Sequence, residues 1–183
     1  MYNLLVSSNK EAWDLGAYEY DRSRFLEWTP DSITRKFTKL TAKNIEQLKS
    51  IPAVFAYEGT DELTRVGYLR RISERGRSVL VEFEFEDSIP GFPFSALKPV
   101  QLKLDIPNGE MYRTHWAVKD EDLFETLRSI GLVKSGLFAG DAAVGRVEEM
   151  RFKVALSFAG ENRDFVAEVA EEIKKRLKTT ISQ

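Results

Sequence analysis

Few residues in this 183-residue chain are equipped for chemistry. The single histidine, His115, lies between Thr114 and Trp116, with Arg113 two places upstream. That corner could supply a general base or stack against a planar ligand. One histidine without any cysteine cannot build a usual zinc site, so the plainer reading of His115 is a structural or surface side chain. Arg65, Arg70, Arg71, Arg75 and Arg77 crowd one hairpin-like stretch and could grip phosphate groups. Glu82, Glu84 and Glu86 follow on the next strand pattern and could equally neutralise those arginines from across the strands. Trp13, Tyr18, Tyr20, Phe25 and Trp28 could form a stacking platform, or could complete the core of a small β-rich domain. Asp120, Glu121 and Asp122 offer paired carboxylates, but acids at the start of a helix commonly serve its cap and dipole. No P-loop, GxGxxG, nucleophile elbow or HExxH pattern occurs.

The composition narrows the choice. With 43% apolar and 31% charged residues the chain can bury a sizeable core and is expected to be globular. Lys plus Arg (27) nearly balance Asp plus Glu (29), giving a net charge of −2 and no bulk attraction to a polyanion. Nucleic acid is therefore an improbable partner without a local basic patch. The absence of cysteine removes disulfides, zinc thiolates and thiol nucleophiles. The first residues lack the basic and apolar regions of a signal peptide, and no window resembles a membrane span, so a cytoplasmic location away from membranes is expected.

The elements that would position these groups can be read from periodicity. Residues 3–6 and 17–28 suit edge or surface strands. Thr29 with Pro30, and Thr41 ahead of Ile45 and Leu48, predict two short helices, the second stopped by Pro52. Residues 53–57, 65–72 and 78–85 predict antiparallel strands, the last placing Val79, Val81, Phe83 and Phe85 on one face and Glu82, Glu84 and Glu86 on the other. Residues 73–77 form a hairpin-sized connector containing Gly76. The prolines of residues 87–99 imply a coil, residues 101–106 could add an edge strand, and Asp120 is a cap for a helix that carries Leu123, Phe124, Leu127 and Ile130 and stops at Gly131. The expected class is α+β: a small antiparallel β-rich domain with peripheral short helices at 1–131, a linker at 132–150, and a βα unit at 151–183.

That last unit has its own pattern. Phe152, Val154, Ala155, Leu156, Phe158 and Ala159 form the near-continuous apolar run of a strand covered on both faces. Gly160 turns the chain, and Phe165, Val166, Val169, Ala170, Ile173 and Leu177 recur at helical spacing. The turn Ser157, Phe158, Ala159, Gly160, Glu161, Asn162 and Arg163 resembles the opening of a bacterial Toll/interleukin-1 receptor (TIR) domain, which has a flavodoxin-like fold. Residues 24–37, with 55–59, 66–69 and 111–120, look like an N-terminal module that precedes such domains.

Several expectations follow from the resemblance. Enzymatic TIR domains cleave the nicotinamide–ribose bond of NAD, and the loop carrying Phe158, Ala159, Gly160 and Arg163 would lie beside the nucleotide. Their catalytic glutamate belongs to a later helix, and Glu161 does not correspond to it. The chain is therefore expected to be no enzyme as it stands and to hold no cofactor, with NAD the substrate of a complete TIR domain. Its role would be non-catalytic: a recognition, regulatory or oligomerisation module in bacterial antiphage defence or signal transduction, partnered by itself or by other TIR domains. The alternative is a nucleotide- or nucleic-acid-binding protein, or an enzyme, using the arginine hairpin and the His115–Trp116 corner. Convergence of Arg65, Arg70, Arg71, His115 and Trp116 on one cleft would favour that alternative.

Overall fold

The computed structural model describes residues 1–134. The expected βα unit at 151–183, the linker from residue 135 onward, and with them Phe158, Ala159, Gly160 and Arg163, lie outside the described residues.

A strand with one wet face must alternate, and β5 (Ser78–Phe85) does: Val79, Val81 and Phe83 are buried while Glu84 is exposed. It pairs antiparallel with β4 (Leu63–Arg75) through a two-residue turn, tighter than the five-residue connector expected, in which Gly76 takes φ +61°. The register slips between Leu69 and Arg71, leaving Arg70 as an extra residue opposite β5. This bulge lets Leu69 and Ile72, three apart, pack into the same core while Arg70 and Arg71 both reach solvent.

The remaining strands are β1 (Tyr2–Ser7), β2 (Ala17–Asp21), β3 (Pro52–Tyr57), β6 (Phe92–Pro93) and β7 (His115–Lys119). The seven-stranded sheet has the order β2-β5-β4-β3-β1-β7, with β6 added against β4. Every pairing is antiparallel except β1 with β3, so the architecture is a mixed α/β fold with a mostly antiparallel sheet. The expected edge position of residues 3–6 is corrected. β1 is buried at all six positions between β3 and β7, because a run apolar on both faces needs cover on both. A parallel β1–β3 pair needs a long crossover, supplied here by β2, α1 (Asp31–Phe37) and α2 (Ala42–Ser50).

Apolar clusters lie on both faces of the sheet. One gathers Trp13, Phe37, Leu48, Phe55, Phe83 and Trp116; the other gathers Tyr2, Leu4, Val66, Leu97, Leu104 and Leu127. The sheet coils so that side chains of β2, at one end, reach β1 near the other: Tyr20 donates to the Val6 carbonyl at 3.2 Å and Ser7 donates to the Tyr18 hydroxyl at 2.9 Å. Residues 22–28 are not a strand. They form a short 3₁₀ turn and then a loop with Leu26 at φ 69° and Trp28 at φ 60°. That loop lies along the outer edge of β7, bridging Phe25 to Trp116, with the Leu26 amide donating to the Trp116 carbonyl at 2.7 Å.

Edge demand also explains the shifted helix cap. Thr29 accepts from the Val118 amide at 2.8 Å, so α1 begins one residue later with Pro30 at its cap position. Thr41 does cap α2, accepting from the Asn44 amide. Residues 101–106 are a turn, not an edge strand. Leu104 and Ile106 are fully buried while Leu102 is 79% exposed, so the alternation of leucines never becomes one face. Residues 87–99 are not all coil, since they contribute β6 and a 3₁₀ segment, Phe94–Val100. The last helix, α3 (Leu123–Ser129), is capped by Asp122 rather than Asp120, and Gly131 follows it at φ +76°. No helix among the described residues is long and apolar enough to cross a membrane.

Candidate functional site

The arginine set disperses. Arg70 pairs with Glu84 at 2.8 Å, Arg71 with Glu82 at 3.4 Å and Arg75 with Glu19 at 3.9 Å. Glu86 turns instead to the Ser88 hydroxyl, 2.5 Å away. Arg65 lies with its guanidinium 4.8 Å from the centroid of Phe85. His115 and Trp116 are fully buried on β7, separated from β4 by β1 and β3, so the five residues share no cleft. As neighbours on a strand, His115 and Trp116 face opposite sides of the sheet. Among the aromatics, Trp13, Tyr20 and Phe25 are buried, Tyr18 is half-buried and Trp28 is 42% exposed, so most of the set completes core rather than forming a platform.

His115 belongs to a polar cluster that the sequence did not announce. Residues 115, 117 and 119 share one face of β7, and on that face Glu110 bridges His115 and Lys119. Its Oε1 is 2.9 Å from His115 Nε2, and its Oε2 accepts from Lys119 Nζ at 2.9 Å. Lys119 also donates to the Trp28 carbonyl at 2.8 Å, and Asp105 stands 3.9 Å away. His115 Nδ1 lies 2.7 Å from the Arg113 carbonyl, which can only accept, so Nδ1 carries a proton. Beside this cluster, Tyr2 donates to the Leu104 carbonyl at 2.7 Å; burial, then the nearby Glu110, Asp105 and Glu121 charges, push its hydroxyl well above the ordinary value of 10.0.

A histidine, a glutamate and a lysine in contact could move protons, yet here the three side chains have 0%, 0% and 1% exposure. They fasten the turn of residues 105–113 and the Trp28 loop to β7. Glu110 and Lys119 escaped sequence reasoning because each reads locally as a surface charge. The available signal was Lys119 ending an otherwise buried strand, His115–Lys119.

Among the described residues, clefts open at the surface. One, of about 420 Å³, lies between Tyr18 of β2 and Thr114, where Arg24 and Arg113 are both tied to Glu27. Another, of about 490 Å³, includes Tyr112, Asn108 and Lys98. A third, of about 650 Å³, is walled by Trp13, Tyr57, Leu63 and Phe85, with Lys10, Asp14, Asp61, Glu62 and Arg65 around it. Trp13 is fixed by donation from its indole N–H to the Ala56 carbonyl at 3.2 Å and by tilted contacts with Tyr18 and Tyr57.

No family model, curated protein or solved structure matches the chain.

Asp120, Glu121 and Asp122 act around a helix start, Asp122 accepting from the Glu125 amide at 2.9 Å. Among the described residues no group of three His, Asp or Glu side chains is arranged to hold a metal. Asp61 accepts from the Ser95 amide at 2.6 Å and from its hydroxyl at 2.8 Å, and these bonds hold its carboxyl below the usual carboxylate range. It is a fixed negative charge at the rim of the aromatic cleft.

Proposed function

We propose that the chain is a non-catalytic recognition and regulatory module of a bacterial TIR-type defence or signalling protein, residues 1–134 serving as sensor or adaptor. The observation that carries this reading is the burial of Glu110, His115 and Lys119. The acid–base groups in mutual contact are spent on holding loops to the sheet, where a substrate does not reach them. At the surface of the described residues stand an open aromatic cleft and arginines paired with glutamates, which suit docking better than turnover. The link to TIR rests on the sequence of residues 157–163, and cleavage of NAD would belong to a complete TIR domain. Partners on this reading are further copies of the chain or other TIR domains.

The reading is tested by following nicotinamide release from NAD with the 183-residue chain while recording its sedimentation across a concentration series. It expects concentration-dependent self-association and no release above the blank. Release that disappears on His115→Gln or Glu110→Gln substitution would reverse it.

A further inference from the structure

The 650 Å³ cleft combines features that together select a ligand class. Its walls are aromatic and aliphatic: Tyr57 and Phe85 are half-buried and Leu63 is 52% exposed. Its charge is acidic, since Asp14, Asp61 and Glu62 outnumber Lys10 and Arg65. Asp61 is held ionised by Ser95, and Glu62 is met by Lys10 at 3.0 Å, whose side chain is 74% exposed and exchanges readily with solvent or ligand. Asp14 has no ion pair among the described residues. Burial, then the Asp14 and Glu62 charges, raise the Tyr57 hydroxyl above its ordinary value, so these carboxylates bear on the ring. Arg65 already places a guanidinium over Phe85 in the same cleft, which shows that a planar cation fits the wall.

We propose that this cleft binds an arginine or lysine side chain of an extended basic peptide on a protein partner, the cation lying against Tyr57 and Phe85 and facing Asp14. The proposal rests on the reading of residues 1–134 as a recognition module and names the chemistry recognised. A phosphate or an acidic peptide would meet the carboxylates of Asp14, Asp61 and Glu62. A peptide suits the site better than a small amine because Leu63 continues the apolar wall to solvent and Leu15, next to Asp14 in the chain, is 87% exposed. The stem of the basic side chain and its neighbours have apolar surface to cover. Arg65 competes for the same ring face and sets the affinity.

The test is a titration of the isotope-labelled 183-residue chain with the amidated, acetylated peptide Gly-Arg-Gly-Arg-Gly, followed by amide and indole resonances. Saturable shifts are expected at the Trp13 indole and the Tyr57 amide. Asp14→Asn should weaken binding about three- to fivefold, and Arg65→Gln, which frees Phe85 and removes a positive charge, should tighten it by about the same factor. Both positions are at the surface, and unchanged thermal unfolding of the variants confirms that the fold is intact. The proposal is overturned by an absence of saturable shifts, by equal binding of Gly-Glu-Gly-Glu-Gly, by spermidine binding as tightly as the peptide, or by Arg65→Gln weakening the complex. Absence of binding without NAD turnover discards the ligand class alone; NAD turnover by the same sample discards the recognition module itself.

Discussion

Glu110 faces His115 and Lys119 at once, and all three side chains are withdrawn from water. Removing one partner leaves the other charge buried without compensation, which costs far more than the pair contributes against an apolar replacement. Lys119→Met is therefore expected to lower stability by about 3–5 kcal/mol, read from urea unfolding at neutral pH. Glu110→Leu combined with Lys119→Met should cost less than the sum of the two single changes, because the double variant strands neither charge. Tyrosine supplies a separate, pH-dependent prediction. Tyr2 and Tyr20 have hydroxyls raised well above 10.0 in the folded chain, chiefly by burial. A raised value means that folding favours the protonated form, so this stabilisation is fully present below pH 10.0 and is lost as pH rises beyond it. Tyr2→Phe should lose about 1 kcal/mol at neutral pH with its bond to Leu104, and should show a shallower decline in stability in alkaline urea titrations.

At the scale of elements, the edges of the sheet decide most of what differs from local expectation. Segment 25–29 occupies the outer edge of β7, and its Thr29 hydroxyl oxygen accepts from Val118. Thr29→Val should cost about 1–3 kcal/mol by orphaning that amide, measured by denaturant unfolding, whereas a helix-cap role would have been nearer 1. Gly67 of β4 lies tight against β5: an added Cβ would lie 2.8 Å from Phe85 Cα and collide with the Glu84 carbonyl. Gly67→Ala should therefore destabilise by about 2–3 kcal/mol, against about 1–2 for Gly76→Ala, where space is open and only the positive φ objects. The elements legible in the sequence were those whose signal is local: the alternation of β5, the Thr41 cap of α2 and the apolar face of α3 ending at Gly131. What was not legible depended on partners far along the chain. β1 reads as an edge until the crossover brings β3 beside it, and Thr29 reads as a cap until Val118 claims it. At the candidate site, the cross-strand pairs of Arg70 and Arg71 followed from register, whereas the bond from Lys119 to the Trp28 carbonyl spans 91 residues and leaves no local trace.

Across residues 1–134, apolar clusters on both sides of the sheet and a polar clamp beneath β7 make a scaffold with an open cleft at its rim. The clamp explains why a histidine beside glutamate and lysine need not announce catalysis: burial has converted acid–base chemistry into fastening. At the rim the scaffold offers an acidic aromatic cleft, the one proposed above to take a basic side chain. The central claim, that this chain recognises rather than turns over, is tested most directly by incubating the 183-residue protein with NAD and quantifying free nicotinamide by proton NMR. The account predicts no release above the protein-free control, for the wild type and for His115→Gln alike. Steady release by the wild type that is abolished in His115→Gln, with the variant still folded, would contradict it.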